Sequence, residues 1–132
     1  MAVITGLAHI GVFVKDIEVS KKFYTEVLGL EVTSECVFED VDNTFTIAFV
    51  EKGSLIIELV MPKFRPELGD GVVDHIAMQV DDLEGFMEVL SQKGIEFESA
   101  EPVYHPTMLG NGAKWIFFRG PDNEHLEIAQ TL

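Results

Sequence analysis

Two histidines and two glutamates stand among apolar neighbours at matched places in the chain. His9 opens the run HIGVFV and His75 opens HIAMQV, while Glu58 sits inside LIIELVM and Glu127 inside HLEIA. Singly, each has an ordinary explanation: a histidine at a strand start is commonly core or surface, and a strand glutamate usually faces water. Together they form a pattern. His9 to Glu58 is 49 residues and His75 to Glu127 is 52. A carboxylate in an apolar strand costs several kcal/mol unless it is paired, protonated or bound to a metal. Two imidazole nitrogens and two carboxylate oxygens suit one borderline divalent ion per site, with water in the open positions. Nickel, cobalt or zinc is expected, with iron or manganese also compatible. His125, two residues before Glu127 and on the same strand face, is a competing ligand or a support for one. His105, in a long loop beside Tyr104, reads as a pocket, lid or exposed residue.

The elements that must position these residues are written twice. HIGVFVKDIE at His9 returns as HIAMQVDDLE at His75, with five of ten positions identical. Each copy continues into a helical segment. Leu83, Phe86, Met87 and Leu90 recur at the spacing of one helical face. In the first copy Val19, Phe23 and Val27 are predicted to play that part, with Tyr24 and Leu28 widening the stripe. Asp16 and Asp82 stand at N-cap positions, and Gly29 and Gly94 where a left-handed C-terminal residue is needed. Paired apolar strands follow at 44–61, around Lys52-Gly53-Ser54, and at 114–130, around Gly120-Pro121-Asp122-Asn123. The segment 102–112 is predicted to be a long loop, and the residues after Gly94 an extended segment.

The fold class is therefore α+β, built from two tandem βαβββ modules, 1–61 and 72–132, joined by the connector 62–71. Each is too short to close its own core, so the modules must pack on each other or on another chain. Matching residues would then face each other across one cleft about a pseudo-two-fold axis. Cleft walls are expected from Phe49, Met78, Met108 and Trp115.

The chain has 132 residues and a formal charge of −14, from nine basic and 23 acidic residues. Such a surface repels phosphate backbones and anionic membranes, so neither nucleic acid nor a membrane is an expected partner. A small-molecule substrate is. No segment reaches the roughly 18 apolar residues of a membrane span. The start, MAVITGLAHIG, lacks the basic region and cleavage signature of a signal peptide. The single cysteine, Cys36, fits a reducing cytoplasm and is predicted to be a half-buried strand residue rather than a nucleophile.

The duplicated unit, with FYTEVLGLEV, IAFVEKGSLIIELV, DHIAMQVDD and FFRGPDNEHLEI, resembles the vicinal oxygen chelate superfamily over nearly the whole chain. That superfamily includes glyoxalase I, methylmalonyl-CoA epimerase, extradiol dioxygenases, and fosfomycin- and bleomycin-resistance proteins. The resemblance implies a curved, cleft-bearing mixed sheet of glyoxalase-like type and, by default, a homodimer. His9, His75 and Glu127 resemble the His-His-Glu triad of the dioxygenases and fosfomycin-modifying enzymes. Glu58 occupies the place of the fourth ligand of glyoxalase I (lactoylglutathione lyase). The resemblance then implies metal ligands His9, Glu58, His75 and Glu127, with Glu127 as the catalytic base and Glu58 as its symmetry mate. The implied reaction is a lyase or isomerase proton transfer through a metal-stabilised enediolate, on the adduct of a 2-oxoaldehyde with a thiol. An epimerase-like enzyme, a ring-cleaving dioxygenase and a metal-free drug-binding resistance protein are the alternatives. For an epimerase the second ligand is typically Gln, and Glu35 or Glu39 would be the further carboxylate. One departure stands out. Glutathione-using glyoxalases tend to carry an arginine early in the first helix, where this chain has Val19 in DIEVSKKFY. Lys21, Lys22, Lys63, Arg65 or Lys114 would have to replace it.

Overall fold

The computed structural model describes residues 5–64, 69–71 and 73–132. The chain divides into two compact units, Met1–Pro66 and Glu67–Leu132. Each carries its own four-stranded mixed sheet and its own helix.

In the first unit β1 (Ile10–Phe13) leads into α1 (Ile17–Lys22), which continues as a π-helical turn over Phe23–Val27. Three strands follow: β2 (Glu31–Glu39), β3 (Thr44–Lys52) and β4 (Leu55–Pro62). The sheet order is β1-β4-β3-β2, with β1 parallel to β4 and the other pairs antiparallel. A parallel pair needs a long crossover, and here the helix and two strands supply it. Asp16 caps α1, accepting from the backbone N–H groups of Glu18 (3.0 Å) and Val19 (3.4 Å). Gly29, at φ +82°, lets the chain turn out of the helix without a Cβ clash. Ile17, Tyr24, Val50, Ile57 and Leu59 make the core beneath the helix.

The second unit repeats the plan with β5 (Ile76–Gln79), α2 (Leu83–Gln92), β6 (Val103–His105), β7 (Ala113–Arg119) and β8 (His125–Thr131), in sheet order β5-β8-β7-β6. Asp82 accepts from Gly85 N–H at 3.0 Å. At the far end of α2, Gly94 takes φ +87°, and Ile95 N–H closes back onto Leu90 C=O at 3.0 Å. Leu83 and Leu90 are fully buried with Ile116, Phe118, Leu126 and Ile128. Phe86 and Met87 are half-buried on the same stripe. Among the described residues no helix is long and apolar enough to cross a membrane.

Four local expectations are corrected. Val19 is half exposed; at about 100° per residue it points away from the face that Ile17 and Tyr24 bury. Cys36 is exposed, because it lies on the edge strand β2, which is exposed along its whole length. The segment 102–112 is not all loop, since it contains β6, paired with β7 through Val103–Trp115 and His105–Ala113. The residues just after Gly94 are not a strand: Phe97 makes only an isolated bridge to Phe118.

Candidate functional site

Both histidines stand one residue before the parallel strand of their sheet, and each meets the glutamate predicted for its own half. His9 Nε2 lies 3.8 Å from Glu58 Oε1, and His75 Nε2 lies 3.2 Å from Glu127 Oε2. Sheet register explains the match. Glu58 is flanked by Gly11 on β1 and Phe49 on β3, and Glu127 by Ala77 on β5 and Phe117 on β7. The phenylalanine of each trio meets the histidine edge-on, at 5.4 Å for His9–Phe49 and 5.2 Å for His75–Phe117. Each unit therefore holds a His-Phe-Glu trio on one face of its sheet.

Glu58 is less enclosed than its sequence context suggests. Ile57 and Leu59 are buried, but Ile56, Glu58 and Val60 share the half-buried face, so the carboxylate does not lie in the apolar core. Glu127 is more enclosed, with 12% of its side chain exposed against 23% for Glu58. That burial pushes its carboxyl above the usual range, while the nearby His75 and His125 pull the other way.

The surroundings of the two trios differ. His75 Nδ1 is hydrogen-bonded to Asp74 Oδ2 at 2.9 Å. The same oxygen lies 3.3 Å from His125 Nδ1. That nitrogen is buried and makes no hydrogen bond. His125 Nε2 meets Glu98 Oε2 at 3.2 Å, and its ring stacks on Phe117 at 4.5 Å. Arg119 donates to Glu98 through Nε (2.8 Å) and to Asp70 through both terminal nitrogens (2.6 and 3.0 Å). Asp74 is held below the ordinary carboxylate range, first by its hydrogen bond to His75 and then by the charge of His125. In the first unit Ala8 and Ile56 stand where Asp74 and His125 stand in the second.

Within each unit the spacing of the donor pair can be compared with that of two ligands on one divalent ion. Two ligands bound at about 2.1 Å stand roughly 3.0–3.4 Å apart; the His75–Glu127 separation of 3.2 Å falls within that span and the His9–Glu58 separation of 3.8 Å just beyond it. Asp74, His75 and His125 also offer donor atoms within 4.8 Å of one another. Both nitrogens of His125 face carboxylates, Asp74 and Glu98, as both nitrogens of His75 face Asp74 and Glu127. His105 is exposed and accepts at Nδ1 from the N–H groups of Thr107 and Met108, which makes it a turn residue.

Of the expected walls, Phe49 lies beside Glu58, and Trp115 shares the face of Phe117 and Glu127. Met78 is core on the opposite face, and Met108 is exposed. Of the cations proposed to replace the absent helix arginine, Lys21 is held by Glu35 (2.6 Å) and Glu18 (3.0 Å), and Lys114 by Glu84 (2.7 Å). Lys63 lies over the Phe64 ring at 5.6 Å, Lys22 is exposed, and Arg65 falls outside the described residues.

The family model for the glyoxalase/bleomycin resistance protein/dioxygenase superfamily matches residues 6–128. The chain belongs to this superfamily. Among its relatives is the Bacillus subtilis protein YwbC, 29% identical, with 92% of this chain and 94% of YwbC covered. A lactoylglutathione lyase of Schizosaccharomyces pombe is 30% identical over 92% of this chain, which spans 46% of that longer enzyme. In fold, the chain is similar to the fosfomycin resistance protein FosX of Listeria monocytogenes, solved with Mn(II) and sulfate, at a TM-score of 0.72 and 20% identity, covering 98% of this chain and 95% of FosX.

Proposed function

We propose that this protein is a metal-dependent lyase or isomerase of the lactoylglutathione lyase type, acting on the adduct of a 2-oxoaldehyde with a thiol. His9, Glu58, His75 and Glu127 would hold one divalent ion, nickel, cobalt or zinc foremost, within one chain or between two chains of a homodimer. Modules 1–61 and 72–132, joined by 62–71, each contribute half of the set, and the protein works in the cytoplasm.

The observation that carries this reading is the contact between His75 Nε2 and Glu127 Oε2 at 3.2 Å. With the Asp74 carboxylate accepting from Nδ1–H, a neutral His75 ring presents a lone pair at Nε2. An imidazole nitrogen and a carboxylate oxygen at this separation share either a proton or a cation, and His75 and Glu127 would be the ligands of a divalent ion held there. When bound, such an ion stabilises negative charge on two adjacent substrate oxygens. The remaining work falls to the chain. His9 and His75 orient the carboxylates of their own halves. Glu127, shielded from water, takes the proton from the carbon beside the carbonyl and returns it to its neighbour. Glu58 is the matching group on the other half. The apolar rings of Phe49 and Phe117 flank the carboxylates and limit competing proton exchange with water.

The test is metal analysis of protein purified without chelators, joined to turnover of a panel of 2-oxoaldehyde–thiol adducts. Near-stoichiometric nickel, cobalt or zinc with adduct isomerisation supports the proposal. Iron with oxygen consumption would move the assignment to a dioxygenase, and tight ligand binding without metal to a resistance protein.

A further inference from the structure

We infer that Asp74 is a positioning residue that sets the tautomer of His75, and that His125 braces it. This rests on the proposed metal-site reading only where it concerns affinity; the tautomer itself can be read in the metal-free protein. Asp74 follows the connector and precedes β5, and its Oδ2 serves two imidazoles, His75 Nδ1 at 2.9 Å and His125 Nδ1 at 3.3 Å. Carboxylates face both ring nitrogens, Asp74 at 2.9 Å and Glu127 at 3.2 Å, and an ionised carboxylate only accepts; the shorter contact draws the His75 ring proton to Nδ1 and turns the Nε2 lone pair toward Glu127.

Asp74 is itself more than half exposed and would not hold one rotamer unaided. His125 gives it a second contact point. That ring is 12% exposed, stacked on Phe117 and met on its other nitrogen by Glu98, which Arg119 holds together with Asp70. A continuous set of polar contacts thus runs from Asp70 through Arg119, Glu98, His125 and Asp74 to His75, all within the second unit. The first unit has Ala8 and Ile56 at the corresponding places, so His9 lacks this support. The second half-site is the pre-oriented one. A carboxylate behind a ligand histidine typically changes metal affinity by about 10–100-fold.

Long-range 15N–1H spectra of the metal-free protein, at a pH where imidazole is neutral, read the tautomer directly. His75 should be predominantly Nδ1–H in the native chain. Asp74→Ala should shift it toward Nε2–H. Asp74→Asn, which keeps an accepting oxygen, should restore the native form. Zinc or nickel affinity by chelator competition should fall roughly 10–100-fold in Asp74→Ala and recover in Asp74→Asn. A His75 tautomer that ignores Asp74→Ala overturns the inference, whatever the metal result. A tautomer that responds in a protein binding no metal upholds Asp74 as a positioning residue and removes the metal reading instead.

Discussion

The two halves of this protein present the same three side chains and hold them differently. His9, Phe49 and Glu58 stand at a separation of 3.8 Å between nitrogen and oxygen, with exposed surroundings. His75, Phe117 and Glu127 stand at 3.2 Å, with the histidine anchored from behind and the carboxylate mostly enclosed. The repeat therefore keeps the groups that would touch an ion and changes the groups that orient them. Two half-sites of identical ligand type need not be chemically equal. Under the proposed reaction the enclosed, anchored half would carry the base.

The comparison is sharpened first by the carboxylates. Glu127→Gln should lower adduct turnover by roughly 10²–10⁴-fold, the usual worth of a positioned general base. Glu58→Gln should cost clearly less. Steady-state kinetics on both variants checks this, and a larger loss from Glu58→Gln would reverse the assignment of the two halves.

Next in size is the core, where the halves should not differ. Leu59 and Leu126 are both fully buried on the glutamate-bearing strands, on the face opposite the glutamate. Each change to alanine should destabilise the fold by about 2–5 kcal/mol, and Val19→Ala on the exposed helix face by no more than about 0.5 kcal/mol. Denaturant titration gives all three. A strongly destabilising Val19→Ala would mean the helix buries the face first expected from its sequence.

The smallest effect concerns acid. The carboxyls of Asp70, bonded to Arg119, and Glu84, bonded to Lys114, are both held below their ordinary values. Their folded values are lower than their unfolded ones, so the unfolded chain binds more protons as pH falls through the carboxylate range. The stability they lend is present above about pH 4.5 and fades below it. The double variant Asp70→Asn/Glu84→Gln should show a flatter fall of melting temperature with acid, and an unchanged slope would place the acid sensitivity elsewhere.

Much of this was legible in the residues. The doubled phrase marks both histidines, both caps and both helices, and strand alternation places Glu58 and Glu127 on faces that meet them. What escaped reading has physical causes. Adjacent residues in an extended chain point to opposite faces, so nothing in the spacing of Asp74 and His75 signals a hydrogen bond between them. The partners around His125 are far away in sequence: Glu98 stands 27 residues off, and the Arg119 that holds Glu98 reaches 49 residues back to Asp70. Charged residues at such separations carry no periodic signal. Phe117 reads as one more apolar strand residue until register sets it opposite Glu127. β6 is three residues long, too short for alternation to show, and it lies within a segment rich in glycine and proline.

Native mass spectrometry of the intact protein, loaded with zinc or nickel and compared with His9→Ala, Glu58→Gln, His75→Ala and Glu127→Gln, tests the shared ion most directly. One ion per site is predicted in the native protein, lost or markedly weakened in every one of the four variants and most of all in His75→Ala. Stoichiometric metal that survives changes in both residues of either half, or no metal above trace in the native protein, would contradict a centre built from the two halves together.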